Sequence, residues 1–167
     1  MQRLPGIDYK VDKEGFLGRF ENPMNIKALV VDDSRSMRRI VMKGLQKAQV
    51  AEWDFDEAED GEDALAKFDP EVYDMLFIDW NMPKMNGIDV VKKLRADKAN
   101  DHVRIVMVTS NKTLDFVTEA IDNAGANGFI TKPFTPVEMR KKLDNIIDEV
   151  MKIKRSKVGF MGKLFGR

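Results

Sequence analysis

A chain of 167 residues, 43% of them hydrophobic, is a single domain of ordinary size with room for appendages, and it carries enough apolar side chains to exclude a disordered polypeptide. It contains no cysteine, which excludes disulfides, thiolate metal sites and cysteine nucleophiles together. The formal net charge is zero, yet six bases and no acid lie between Met151 and Arg167, leaving −6 on residues 1–150.

Residues 1–24 read as an extension. Ile7, Tyr9 and Val11 alternate with polar residues, Asp12-Lys13-Glu14-Gly15 resembles a turn, and Phe16 to Phe20 offers a return strand. The pattern suggests a small hairpin, with a flexible leader as the alternative. Asn22-Pro23 closes the segment, because the residue before a proline is pushed out of the helical region. The first residues lack an apolar signal core, and no apolar run approaches the roughly 18 residues of a membrane span; the expected location is cytoplasmic.

From Asn25 the pattern alternates strand with helix. Ile26–Val31 reads as a buried strand, followed by a helix from about Ser34 with Met37, Ile40, Val41 and Leu45 at helical spacing. Trp53–Ala58 is a more acidic strand suited to a sheet edge, and Glu62–Phe68 is a short helix. Met75–Asp79 follows as a strand, then a helix from Ile88 to Arg95, strand Arg104–Thr109 and a helix from Leu114 to Ala124 with Gly125 placed to cap it. Strand Gly128–Thr131 leads to a last helix that starts after Thr135-Pro136 and carries the stripe Leu143, Ile146, Ile147, Val150 and Ile153. Alternating units of this kind imply an α/β fold, a doubly wound, five-stranded parallel sheet with helices on both faces.

Four predicted strands end in chemistry. The first ends in Asp32 and Asp33, the third in Asp79, the fourth in Thr109 and the fifth in Lys132. Open α/β sheets bind ligands at the carboxyl ends of their strands. Alone, either of the paired aspartates reads as a helix cap, Lys132 as a solvated lysine and Thr109 as a cap. Three acids, a hydroxyl and an amine together suit a hard cation and a phosphoryl group. Magnesium accepts one or two carboxylates plus water, so Asp33 and Asp79 would ligate it directly, Asp32 through water, and the backbone carbonyl of Asn81 would add a further oxygen. Asp79 is the natural nucleophile, forming an aspartyl phosphate. The lone His102 makes no metal site.

The segments Val30-Val31-Asp32-Asp33-Ser34, Met37-Arg38-Arg39-Ile40-Val41, Glu57-Ala58-Glu59-Asp60-Gly61, Asp79-Trp80-Asn81-Met82-Pro83, Met85-Asn86-Gly87, Val108-Thr109 and Lys132-Pro133-Phe134 occur in this order. In them the chain resembles the receiver domain of bacterial two-component response regulators, especially the single-domain, CheY-like chemotaxis members. The resemblance spans about residues 25–151. It implies a flavodoxin-like sheet with strand order 2-1-3-4-5, an order taken from the family and not from the sequence pattern. It implies Asp79 as phosphoacceptor, Asp32 and Asp33 as the acidic pair, Thr109 as switch hydroxyl, Lys132 as the family's lysine, and Mg²⁺ as cofactor. Phe129 stands at the aromatic switch position, where chemotaxis members usually carry tyrosine. Asn111 stands where an acid is usual, and the stretch between Thr109 and Phe129 is one residue longer.

The implied partners are a sensor histidine kinase (CheA-like) and a target protein, with a flagellar or pilus motor component as one candidate. The target would dock on the face made by the Leu114 helix, the fifth strand and the last helix. Such a domain catalyses only its own phosphorylation and dephosphorylation. Two alternatives stay open: a phosphorelay intermediate, and a haloacid-dehalogenase-like phosphatase, against which Asn81 replaces the acid that chemistry uses. Residues 152–167 form a basic, partly amphipathic tail, too short for a DNA-binding domain. Gly159, Gly162 and Gly166 argue against a free helix there. It is read as a solvated tail, a peptide that docks on protein, or a contact with a membrane surface.

Overall fold

The computed structural model describes residues 25–165; the hairpin expected in residues 1–24 lies outside them. Five strands form one sheet: β1 (Asn25–Val31), β2 (Glu52–Ala58), β3 (Met75–Asp79), β4 (Arg104–Thr109) and β5 (Gly128–Thr131). All neighbours pair in parallel, in the order β2-β1-β3-β4-β5. The acidic β2 takes the edge, as its sequence suggests. Central β3 is buried along its whole length, which is why Met75 to Ile78 are apolar without alternation.

The helices divide between the two faces. On one, α1 (Arg35–Ala48) and α5 (Pro136–Phe165) cover Ile26, Ala28, Val30, Phe77, Val106 and Ile130. On the other, α2 (Gly61–Lys67), α3 (Gly87–Arg95) and α4 (Leu114–Thr118) cover Leu29, Val31, Leu76, Ile78, Ile105 and Met107. Local chemistry sets the helix starts. Ser34 Oγ accepts the Met37 N–H at 3.3 Å, and Asp60 Oδ1 accepts the Asp63 N–H at 2.8 Å. Thr135 and Glu138 form a reciprocal capping box at the head of α5.

Three sequence expectations need correction. The inward face of α1 uses Arg38, Val41, Leu45 and Ala48, whereas Ile40 is 52% exposed. An arginine takes a core-facing position because the carbonyl of buried Asp32 and the half-buried Glu57 carboxylate both accept from it, as described below. The helix expected over Leu114–Ala124 is α-helical only to Thr118 and then widens into a π turn over Glu119–Asn123, closed by the Ala124 N–H on the Glu119 carbonyl at 2.9 Å. A π turn takes in one extra residue without ending the helix. Gly125 does follow as the stop, at φ 85°.

The third correction concerns the tail. α5 runs unbroken for 30 residues to Phe165, about 45 Å at 1.5 Å per residue. The glycines weaken this extension but do not have to nucleate it. The buried stripe from Met139 to Met151 has already formed the helix, and propagation is far cheaper than nucleation. Lys154 Nζ bonds Asp74 Oδ2 at 2.6 Å and Lys157 Nζ lies 3.7 Å from Glu71, tying the first turn of the extension to the base of the sheet.

At that base Arg95 closes the layer of α3. It donates to the carbonyls of Gly125, Asn100 and Val103 and to Asn127 Oδ1, at 2.7–2.9 Å. Burial holds its guanidinium below the usual arginine value. The catalytic-type residues all lie at the opposite end of the sheet.

Candidate functional site

The parallel register brings the predicted residues to one rim. Val31 pairs with Ile78 and Asp79 with Val108, so Asp32, Asp79 and Thr109 leave three adjacent strands at almost the same level. Thr109 pairs with Thr131, which puts Lys132 one residue further along β5. The Trp80 N–H donates to the Val108 carbonyl at 3.1 Å and the Gly87 N–H to the Trp80 carbonyl at 2.9 Å, fixing the backbone around Asp79.

Asp32, Asp79 and Thr109 are buried and Asp33 is exposed. One carboxylate oxygen from each of Asp32, Asp33 and Asp79 can be chosen so that all three lie within 4.8 Å of one another. Lys132 Nζ reaches into this group, 2.9 Å from Asp79 Oδ1 and 3.2 Å from Asp32 Oδ2. Three carboxylates share one ammonium, so the pocket is short of positive charge. Burial pushes the Asp79 carboxyl above the ordinary carboxylate range, the charges of Asp32 and Asp33 add to this, and Lys132 opposes it. Burial alone would lower the Lys132 ammonium, but its bond to Asp79 and the two acidic charges hold it above its usual value. A divalent cation is what this donor set fits: hard oxygen ligands with surplus negative charge.

Thr109 Oγ1 faces the loop after β4, where it accepts the Asn111 N–H at 3.0 Å. Asn81 is exposed, two residues past Asp79. Phe129 is half-buried on β5 and, like Phe116 and Ile121, packs against the core on that face, with Lys142 Nζ of α5 4.2 Å above its ring. It pairs with Met107, two residues before Thr109, so both lie on the face covered by α4.

Three residues of the matching segments support the site through contacts that sequence reasoning did not foresee. Ser34 donates its N–H to Asp32 Oδ1 at 2.8 Å. Arg38 donates to the Asp32 carbonyl at 2.7 Å and to Glu57 at 2.5 Å, bracing the first acidic residue from α1. Gly87 packs its Cα against the Asp79 carbonyl. The signal for Arg38 was its place three residues before Val41 on the buried stripe; a search for apolar spacing passes over it.

The family model of the response regulator receiver domain matches residues 28–144. The chain belongs to this family. Its receiver is similar to chemotaxis protein CheY-3 of Vibrio cholerae, 40% identical over 126 residues that cover 75% of this chain and 95% of that protein. It is 42% identical over 123 residues to chemotaxis protein CheY1 of Helicobacter pylori, covering 73% of this chain and 97% of that one. Among solved structures, Vibrio cholerae chemotaxis protein CheY4 matches with a TM-score of 0.63 at 35% identity, over 72% of this chain and 98% of that chain. The receiver is thus of the chemotaxis type found in two-component signalling. Receiver domains bind Mg²⁺ at an acidic pocket, and Asp32, Asp33 and Asp79 supply one here.

Proposed function

We propose that this receiver accepts a phosphoryl group on Asp79 from the phosphohistidine of a CheA-like sensor kinase, and that the aspartyl phosphate changes its affinity for a target protein. The single observation that carries the reading is the convergence of three carboxylates and one lysine at the ends of three strands. Asp32, Asp33, Asp79 and the carbonyl of Asn81 would hold Mg²⁺. The ion supplies charge neutralisation for the phosphoryl oxygens as the transfer proceeds.

An Asp79 carboxylate oxygen attacks phosphorus while the phosphorus–nitrogen bond of the donor breaks, and the imidazole leaves with that electron pair. Lys132, already 2.9 Å from Asp79 Oδ1, stays within reach of a phosphoryl oxygen. Thr109, released from its bond to the Asn111 N–H, can donate to another. Because Phe129 lies on the same face as Thr109, a move of Thr109 opens room for the ring to turn inward and leave Lys142. A ligand shifts such an equilibrium only through contacts that differ between the two states, and the new phosphoryl bonds are such contacts. The readout face would be α4, β5 and α5, where Leu114 and Val137 already expose large apolar surfaces. Without the tyrosine hydroxyl, Phe129 can offer a target only an apolar ring.

Intact mass measurement after incubation with acetyl phosphate and Mg²⁺ tests the reading. The wild type should gain the mass of one phosphoryl group, and Asp79→Asn or omission of the cation should prevent it. A gain in Asp79→Asn equal to that of the wild type would remove Asp79 from its role.

A further inference from the structure

Every polar atom of Asp32 has a partner, and one of those partners comes from outside the pocket. Its N–H donates to the Ala58 carbonyl at 3.2 Å, Oδ1 accepts the Ser34 N–H at 2.8 Å, and Oδ2 lies 3.2 Å from Lys132 Nζ. The carbonyl is placed differently. β1 ends at Val31 and α1 begins at Arg35, so this oxygen stands between the ladder and the helix. Among the described residues no peptide N–H donates to it. Arg38 Nη1 does, at 2.7 Å, in a bond closed to solvent: Asp32 is 3% exposed and Arg38 9%. A buried carbonyl left without that donor would lose its only partner.

The guanidinium is held at its other edge as well. Nε donates to Glu57 on β2 at 2.5 Å, and the Glu57 carbonyl accepts Lys67 Nζ from α2 at 2.8 Å. A planar fork anchored at one strand and bonded past the end of the next fixes distance and angle together, which a lysine ammonium does not do. The Asp32 carbonyl belongs to the peptide that joins Asp32 to Asp33. That plane carries both members of the acidic pair, one buried and one exposed, whose oxygens lie within 4.8 Å of each other and of Asp79. Turning it would swing the Asp33 carboxylate and pull on the two bonds that hold the Asp32 side chain.

Given the reading above, that Mg²⁺ binds among the three acids, we infer that Arg38 is a positioning residue for the cation: anchored on Glu57, it holds the Asp32–Asp33 peptide so that both carboxylates stay grouped with Asp79. It acts through the backbone. Its side-chain bonds among the described residues go to Glu57 and to the Asp32 carbonyl, and none goes to a carboxylate of the pocket. Charge and geometry predict opposite signs for its removal. Arg38 places a positive charge beside the site, so on charge alone its loss would strengthen the binding of a divalent cation. On geometry its loss weakens that binding, because the acidic pair is no longer held in register.

Mg²⁺ titrations of the full chain, read by Trp80 fluorescence and by thermal melts, decide between the two signs. Arg38→Met keeps a long side chain and removes the donors. Its Kd for Mg²⁺ should rise about tenfold, the low end of what the outer partners of metal ligands contribute. Arg38→Lys keeps the charge without the fork and should raise the Kd by a smaller factor. With acetyl phosphate as donor, the Mg²⁺ concentration for half-maximal phosphorylation should rise in step with the Kd, while the rate at saturating Mg²⁺ falls less. Amide exchange at Ser34, whose N–H is bonded to Asp32 Oδ1, should quicken in Arg38→Met. Urea melts show whether each variant folds; if Arg38→Met does not, the Kd of Arg38→Lys carries the test, and an unchanged value there would overturn the inference. An Arg38→Met protein that binds Mg²⁺ as tightly as the wild type, or more tightly, would overturn it too, and would leave the proposed function standing. A wild type whose fluorescence and melting both ignore Mg²⁺ would instead remove the cation site itself, and the role of Arg38 with it.

Discussion

The Cα of Gly87 lies against the carbonyl oxygen of Asp79, so closely that a β-carbon at position 87 would overlap that oxygen and approach the carbonyl carbon to 2.9 Å. The neighbour is backbone, which cannot rotate away. Gly87→Ala must therefore displace either α3 or the residue that carries the pocket's central carboxylate. Overpacking of this kind costs about 1–3 kcal/mol. The expected result is a lower urea midpoint together with phosphorylation by acetyl phosphate slowed well beyond what the lost stability explains. A variant with wild-type rate would show that Asp79 need not sit where α3 holds it.

The shortage of positive charge among Asp32, Asp33 and Asp79 gives a second prediction with a definite sign. Burial holds the Asp79 carboxyl above its ordinary value despite Lys132, so its ionisation opposes folding as pH rises through the carboxylate range. Asp79→Asn should then raise stability at neutral pH. In the wild type, Mg²⁺ at a hundredfold excess over its Kd should add about 3 kcal/mol; in Asp79→Asn that gain should shrink sharply. Thermal melts with and without the cation, and with Trp80 beside the site as a fluorescent reporter, check both. Equal cation stabilisation of the two proteins would move the metal off Asp79.

Much of this was legible in the residues. Apolar runs that each end in a polar group, Val30-Val31-Asp32-Asp33 and Phe77-Ile78-Asp79 among them, give strands and a rim together, because period and chemistry coincide. The pocket needed no long-range insight once the sheet was parallel. Apart from the Ser34 N–H, whose bond to Asp32 spans only two residues, the misses share a cause: the decisive interaction was not local. Arg38 faces inward only because the Asp32 carbonyl and Glu57 wait for it across the sheet. Gly87 looks like a turn residue until Asp79 is seen behind it. The tail's glycines predict a broken helix when weighed alone, but the tertiary packing of Met139 to Met151 starts the helix for them.

Tyr73 supplies a prediction in alkali. Its hydroxyl donates to Asp56 Oδ2 at 2.8 Å, and burial, then the bond and charge of Asp56, push the phenol up to about 12. The folded value lies above the unfolded one near 10, so this contribution is complete below about pH 10 and is lost as pH rises through about 12. The loss amounts to about 2–3 kcal/mol. Lys27 adds a loss of the same sign. Burial would lower its ammonium, but hydrogen bonds and charge from Asp56 and Asp54 hold it above its usual value. Tyr73→Phe should therefore flatten the alkaline fall in stability without abolishing it. Phenolate absorbance should show one late titration that disappears in the variant; a Tyr73 that titrates like free tyrosine would contradict the buried bond.

Two glycines, one packed between α1 and α5 and one on the exposed extension of α5, make an instructive contrast. A β-carbon at Gly159 would meet nothing within 4 Å, whereas one at Gly44 would lie 2.6 Å from Met139 Sδ and 3.2 Å from the Phe134 ring. Gly159→Ala should recover about 1 kcal/mol of helix propensity in an exposed helix interior. That gain belongs to the last two turns of α5, which open without unfolding the domain. Amide exchange between Val158 and Leu164 should slow several-fold while the global melting temperature stays nearly constant. Gly44→Ala should do the reverse, lowering the global melting temperature by wedging α1 from α5 while leaving exchange in the extension unchanged. If Gly159→Ala raised the global melting temperature as much as it slowed local exchange, the extension would be part of the cooperative unit and not a projecting arm.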